Sequence, residues 1–297
     1  LMLLTNYPYS IVWEQEHLPA ILQMSTGSQE MGNAAADLLF GAANPSGRLP
    51  LTWYRSVNDL PDMNDYDIIK GKRTYQYYSG EVLYPFGYGL SYTAFSYREF
   101  LFDGLMDGQD AFLKFHVIVE NTGTCCGDEV VQLYVTRCSD SRIEYPVRRL
   151  AGFRRVKNIA PGERRKVELE VSRRELEVYD VVTRRRVLEE GTYLFTIGYE
   201  GPVQHWGNDG VLARYRGNNG VLGIELDLPG EKIPMRRPES YTAADHYDDY
   251  ENIVLKTAGN GKNCTAVFNR KKKAVLVYRD FLWTGKEKDL VLNVRSA

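Results

Sequence analysis

The sequence predicts a mixed fold: a short α/β region, then an all-β sandwich of immunoglobulin-like size, then a partial β-rich unit. Three observations predict it. An alanine- and leucine-rich helical stretch follows a short apolar strand near the start of the chain. From Asp110 onward apolar residues recur at every second position. A glycine-rich break then separates this pattern from a last set of short strands.

Residues 1 to 54 carry the α/β pattern. Pro19–Met24 (PAILQM) is a short, bounded apolar run suited to a buried strand. Ser25–Glu30 supplies turn chemistry, and Met31–Phe40 (MGNAAADLLF) reads as a helix. Glu30 stands where a carboxylate favours the helix dipole, and Gly41 is the expected C-cap. Asn44-Pro45-Ser46-Gly47 is a turn. A polar, aspartate-rich loop follows, with Asp59, Asp62, Asp65 and Asp67, and Arg73–Tyr78 (RTYQYY) reads as extended. In Leu83–Phe95 (LYPFGYGLSYTAF) the rings of Tyr84, Phe86, Tyr88 and Tyr92 interleave with Pro85, Gly87 and Gly89. Such a segment is a rigid, aromatic-rich corner, buried at a junction between packed layers.

The sandwich follows. Leu113, Phe115, Val117 and Val119 share one strand face, with Lys114, His116 and Glu120 on the other. Val131, Leu133 and Val135 alternate with Gln132 and Tyr134, and Val167, Leu169 and Val171 with Lys166, Glu168 and Glu170. Tyr193, Phe195 and Ile197 complete the inner set. Strands with one wet face over about 90 residues suit an immunoglobulin-like sandwich. Eight glycines between Gly198 and Gly230 read as a linker, and Ile253–Leu255, Ala266–Phe268, Ala274–Tyr278 and Leu290–Val294 as short strands beyond it. The expected domains are therefore 1–100, 101–200, a linker at 201–232, and 233–297.

Composition excludes several functions. The 297 residues are 43% hydrophobic and 26% charged, with 37 basic against 39 acidic side chains and a net charge of −2. That balance gives no field for capturing nucleic acid or an anionic membrane. No apolar run reaches the ~18 residues of a membrane span. LMLLTNYPYSIVW lacks the basic start and long apolar core of a signal peptide. Cys125, Cys126, Cys138 and Cys264 fit no zinc spacing, and they read as free thiols of a reducing, cytoplasmic compartment. Pairing of Cys125 or Cys126 with Cys138 across a hairpin is the alternative. No cofactor or metal is expected: His17, His116, His205 and His246 are scattered, and Asp245, Asp248, Asp249 and Glu251 lack a calcium-loop pattern. The arginine doublets at 148–149, 154–155, 164–165 and 173–174, with Arg184–Arg186, read as a solvated face offset by nearby glutamates, and Arg270–Lys273 as a hairpin turn. Asn263-Cys264-Thr265 is a glycosylation sequon.

GAANPSGRLPL (Gly41–Leu51), LYPFGYGLSYTAF and, later, VENTGTCCGDEVVQLYV (Val119–Val135), PVRRLAGFRRV (Pro146–Val156) and APGERRKVELEV (Ala160–Val171) occur in this order. The series resembles the C-terminal part of glycoside hydrolase family 3, the β-glucosidase and β-xylosidase family. The resemblance implies the end of its α/β sandwich domain followed by a fibronectin type III-like domain. It also implies a retaining mechanism with two carboxylates about 5–5.5 Å apart. The family's nucleophile belongs to an N-terminal barrel of about 250 residues. Too few residues precede the sandwich to hold that barrel, and the acid/base glutamate lies upstream of Leu1, so no catalytic residue is carried over. The expected partner is a β-linked oligosaccharide or glycoside, met by a larger enzyme whose barrel is missing here. A non-catalytic carbohydrate-binding or accessory protein is the alternative.

Glu225–Ala297 resembles the opening of a jelly-roll carbohydrate-binding module of the family 6 type, with Tyr278, Phe281 and Trp283 as stacking or core rings. Local acids are available at Glu14, Glu16, Glu30, Asp62, Asp65 and Asp67, without an enclosed pocket to make them catalytic. By the resemblance, the loop Arg55–Gly80 faces the barrel mouth. Trp53, Arg73, Tyr75 and Tyr78 are its candidate substrate-binding residues, with rings for pyranose faces and a guanidinium for hydroxyl pairs.

Overall fold

The computed structural model describes residues 1–63, 65–106, 112–198, 222–236, 247, 249–257, 265–268, 274–279, 281–282 and 285. They fall into two units, the first made of residues 1–140, 144–176 and 190–229.

The first unit opens with strand β1 (Met2–Leu4), helix α1 (Val12–His17) and strand β2 (Ile21–Gln23). β1 and β2 pair in parallel, Met2 opposite Ile21, which requires the crossover that α1 supplies. Helix α2 (Met31–Leu39) ends as expected at Gly41, whose φ of 77° lies in the left-handed region. Strand β3 (Trp53–Tyr54) runs antiparallel to β4 (Val82–Tyr84), with Trp53 opposite Tyr84. Leu4, Ile11 and Trp53 form a small core, closed by Ile21, Leu49, Leu51 and Leu83. Between β3 and β4 the segment expected to be extended forms the one-turn helix α3 (Thr74–Tyr77), closed by the Tyr78 amide on the Thr74 carbonyl at 2.9 Å. Tyrosines favour strands, but here the Tyr75 ring stacks on Phe86 with centroids 4.0 Å apart, and packing overrides propensity.

The sandwich has two sheets. Strands β5 (Phe95–Met106), β6 (Phe112–Asn121) and β9 (Arg164–Ser172) form one, in the order β5-β6-β9. β7 (Gly127–Arg137), β8 (Arg149–Ile159), β12 (Gly191–Ile197) and β13 (Leu222–Leu228) form the other, in the order β13-β12-β7-β8. Helix α4 (Arg173–Leu176) follows β9. The inner-face residues read from the sequence on β6, β7, β9 and β12 are all buried, and Phe115 packs on Phe195 at 4.8 Å.

Two corrections follow from the pairing. The expected linker at 201–232 contains the seventh strand: β13 is paired with β12 from Leu222 opposite Ile197 to Leu228 opposite Gly191. Its alternating LGIELDL pattern, short and flanked by glycines, carried too weak a signal to stand out. Gln132 and Tyr134, assigned to a wet face, are buried, so β7 is covered on both sides. The outer cover comes from the aromatic corner after β4. Phe86 meets the Tyr134 ring edge-on at 6.4 Å, the Gln132 amide donates to the Gly87 carbonyl at 3.1 Å, and the Tyr134 hydroxyl donates to Gln132 Oε1 at 2.6 Å.

The second unit comprises residues 141–143, 177–189 and 230–297. β10 (Val178–Asp180) and β11 (Arg185–Val187) form a hairpin, β14 (Asp249–Glu251) pairs antiparallel with β17 (Val275–Val277), and β15 (Val254–Thr257) with β16 (Thr265–Phe268). The strands at 253–255, 266–268 and 274–278 thus match within a residue or two. The sequon's Asn263 and Cys264, the run 270–273, Trp283, Asp245, Asp248 and the strand at 290–294 lie outside the described residues. Buried Asp180 caps the hairpin turn, accepting from the Thr183 hydroxyl at 2.7 Å, the Thr183 amide at 2.9 Å and the Val182 amide at 3.1 Å, and pairing with Arg142. Cys125, Cys126 and Cys138 stand as thiols, and no helix among the described residues is long and apolar enough to cross a membrane.

Two glycines give opposite expectations. At Gly87, φ is 86° and a methyl group would collide with Gln132 Oε1 and the Tyr134 hydroxyl. Gly87→Ala should cost about 2–4 kcal/mol in urea unfolding. Gly32 lies in α2 with open space where a Cβ would stand, so Gly32→Ala should stabilise by up to about 1 kcal/mol. A pH test is independent of both. Burial pushes the Asp180 carboxyl up, but the Thr183 and Val182 donors and Arg142 outweigh it and hold the carboxyl below its ordinary value. A depressed acid stabilises fully above its unfolded value of about 3.9 and loses that contribution as pH falls through the lower folded value. The melting-temperature gap between the protein and Asp180→Asn should therefore be wide at pH 7 and narrow in strong acid.

Candidate functional site

The loop between β3 and β4 is built from its own polar atoms. A capping box opens it: the Ser56 hydroxyl accepts the Asn58 amide at 3.1 Å, and Asp59 Oδ2 accepts the Ser56 amide at 2.9 Å. Asp65 Oδ1 then accepts the Asp67 amide at 3.0 Å, and Asp67 Oδ1 accepts those of Ile69 and Lys70 at 3.1 and 2.9 Å. Asp59 and two of the local acids, Asp65 and Asp67, are thus turn-formers. Glu30, likewise, accepts the Asn33 side-chain amide at 2.6 Å.

The four residues expected to touch substrate have distinct places. Trp53 is 1% exposed and its Nε1 donates to the Tyr9 carbonyl at 2.6 Å, so its ring belongs to the core and has no free face for a sugar. That corrects the expectation for this residue. The Arg73 guanidinium turns inward, donating from Nη2 to the Asp62 and Asp65 carbonyls, both at 2.7 Å. It ties the loop shut. Tyr75 lies between the Phe86 stack and the edge of Tyr134, and its hydroxyl accepts the Leu150 amide at 3.1 Å. Tyr78 packs edge-on against Tyr54 at 4.9 Å, and its hydroxyl reaches the Glu81 carbonyl at 3.4 Å. The structure gathers Tyr75 with Phe86, Tyr134 and Arg148; it does not gather Trp53 with Arg73.

The loop is also strapped to the sandwich. Besides the Tyr75–Leu150 bond, the Val147 amide donates to the Gln76 carbonyl at 2.6 Å, and Lys72 pairs with Glu144. Beside this seam Arg148, expected on a solvated face, is buried with its guanidinium 4.6 Å from the Tyr134 ring centre. Burial holds Arg148 below its ordinary value and pushes the Tyr134 phenol up. A second buried cation, Arg48 of the NPSGRLPL segment, meets Glu129 of β7 at 2.6 Å, their side chains 10% and 7% exposed. Burial pushes the Glu129 carboxyl up, against the pull of Arg48 and of the Tyr97 hydroxyl, which donates to it at 2.5 Å. The sequence signalled neither contact, since arginine doublets and a glutamate in a strand are ordinary surface features.

Among the residues the loop shows to solvent are several apolar ones. Met63 and Tyr66 are each 88% exposed, with Val57, Leu60 and Ile68 also uncovered. The polar composition of the loop hid these residues. Among the described residues no group of three or more His, Cys, Asp or Glu side chains is placed to hold a metal.

Comparison with known proteins covers the same ground. Residues 1–92 match the glycosyl hydrolase family 3 C-terminal domain, and residues 129–200 a fibronectin type III-like domain. A xylan 1,4-beta-xylosidase of Xylanibacter ruminicola is 39% identical over 185 residues, covering 62% of this chain and 21% of that protein. Probable beta-glucosidase K of Emericella nidulans is 35% identical over 210 residues, covering 67% and 24% respectively. Beta-glucosidase 3B from Thermotoga neapolitana, solved in complex with alpha-D-glucose, superposes with a TM-score of 0.61 at 27% identity, over 77% of this chain and 32% of that one. The chain thus spans between 21% and 24% of the length of these two sequence relatives.

The inward role of Arg73 has a direct readout. Arg73→Ala should speed amide hydrogen exchange at Ile69–Arg73 about tenfold or more, as loss of charge-assisted bonds predicts. Exchange in β6 and β12 should not change.

Proposed function

The chain carries the C-terminal domain of glycosyl hydrolase family 3 joined to a fibronectin type III-like domain, and on that premise we propose that it is the non-barrel part of a retaining β-glycosidase. The substrate class is a glycoside with terminal β-linked glucose or xylose, as the names of its relatives suggest. The carrying observation is that both matched segments of the α/β region bond to each other and then to the sandwich. The Leu49 amide donates to the Tyr88 carbonyl and the Gly87 amide to the Leu49 carbonyl, both at 2.8 Å, and Gly87 accepts from Gln132.

In this reading the chain supplies scaffold and one wall of the aglycone site. The nucleophile and acid/base of the double displacement belong to another part of the protein. The local acids offer no substitute: Asp65 and Asp67 are spent on loop amides, Glu16, Glu30 and Asp62 are exposed, and Glu14 stands half-buried on α1. Trp53, Arg73, Tyr75 and Tyr78 serve the wall as its supports, and the exposed rim of Met63 and Tyr66 is the surface offered to the leaving group.

The test has two arms. The 297-residue chain should not release chromophore from aryl β-glucosides or β-xylosides above the blank. Turnover lost on changing Glu14, Glu16 or Glu30 would overturn the reading. A polypeptide joining the chain to a family 3 barrel and the upstream part of the α/β domain should hydrolyse one of them with β-anomer released first by NMR. In it Tyr66→Ala should raise KM for an oligosaccharide by about two- to tenfold, the worth of one aromatic contact, with kcat on a small alkyl glycoside unchanged.

A further inference from the structure

The two sheets of the sandwich end side by side, with β8 the edge of one and β9 the edge of the other. Gly152 permits the approach: a Cβ there would stand 3.3 Å from the Glu170 carbonyl. Past this point an open groove of about 410 Å³ runs along the edges, lined by Arg154, Arg155, Val156 and Lys157 of β8 and by Lys166, Val167 and Glu168 of β9. That volume falls in the range of about 300–1,000 Å³ typical of ligand clefts.

Its charge is lopsided. Arg155 is spent, with Nε and Nη2 on Asp128 at 3.0 and 2.7 Å and Nη2 on the Ser46 hydroxyl at 3.0 Å. Glu168 is likewise spent on Lys114 at 3.1 Å. Arg154, Lys157 and Lys166 form no ion pair among the described residues, although Lys157 lies near enough to help depress the Asp128 carboxyl and Lys166 that of Glu168. Three cations without an ion pair among the described residues therefore line one groove, on a chain whose net charge is −2.

We propose that this groove binds a carboxylate-bearing polysaccharide, with Arg154, Lys157 and Lys166 holding uronate carboxylates and Val156 offering an apolar surface to the sugar ring. The choice of polyanion follows from charge density. Nucleic acids are held through about six to ten phosphate contacts and a broad positive field, neither of which three cations on a net acidic chain can supply. A polyuronate presents one carboxylate per sugar, matched to sparse cations. The proposal rests on the glycosidase reading for its choice of a glycan, and places the groove as an anchor on charged wall polymers while hydrolysis occurs elsewhere.

Edge strands also carry lysine and arginine simply to block pairing with other sheets. Binding separates the two roles without reference to catalysis. The full chain, run in native gels containing polygalacturonate, should be retarded at about 20 mM salt and released by about 0.3 M, where screening is nearly complete at groove distances. The triple variant Arg154→Ser, Lys157→Ser, Lys166→Ser should bind about tenfold more weakly, with its melting temperature held as the control for folding. A variant in which Arg174 and Arg186 are changed to Ser should bind as the parent does. No retardation, equal retardation of the triple variant, or equal affinity for single-stranded DNA would overturn the proposal and leave edge protection as the role of the cations.

Discussion

The Gly87 carbonyl accepts the Gln132 side-chain amide, and the α/β region is positioned on the sandwich through that contact and its surroundings. Gly87 must be glycine twice over, for its left-handed backbone and for the space that Gln132 and Tyr134 occupy where a side chain would stand. Gly89 obeys the second rule against the Gly47 carbonyl of the partner segment. One motif closes on the other, and the pair closes on β7. Around this seam polar groups are buried against one another: Tyr134 with Gln132, Arg148 over Tyr134, and Arg48 with Glu129 and Tyr97. Buried sets of this kind are costly to disrupt, because each lost partner leaves a desolvated group behind.

Such burial explains what the sequence could and could not say. The inner face of the sandwich was legible, since a period of two along β6, β7, β9 and β12 is set by one hydrophobic layer. The outer face of β7 was not. Periodicity says which residues share a side, not whether another segment will cover it, and Gln132 and Tyr134 look polar because their hydroxyl and amide are used in the seam. Arg148 failed for the same reason: the ring that shields it lies fourteen positions upstream on the facing strand. β13 was lost to its neighbours' composition, and α3 to a stacking contact that tyrosine propensity cannot anticipate.

The candidate site shows the same limit more sharply. Rings and a guanidinium beside a loop suggest sugar recognition by chemistry alone. Yet Trp53 is consumed by the core, Arg73 by two carbonyls of its own loop, and Tyr75 by the seam. Side-chain type singled out these residues without revealing the contacts that hold them inward. Among the loop residues facing outward, Met63 and Tyr66 sit in a segment whose aspartates read as an ordinary polar loop.

The strapping of this loop gives the sandwich a task. The carbonyl of Gln76 and the hydroxyl of Tyr75 are held by backbone amides at Val147 and Leu150, just before and within β8. The loop's inner end cannot shift without breaking those bonds or the Tyr75–Phe86 stack. Its outer end is closed by Arg73 on Asp62 and Asp65, so strain at the rim passes through Arg73 and α3 directly into β8. A β-sandwich is stiff because its layers are close-packed and its ladders continuous. The sandwich can then fix the height and angle of a rim that a flexible connection would leave to chance.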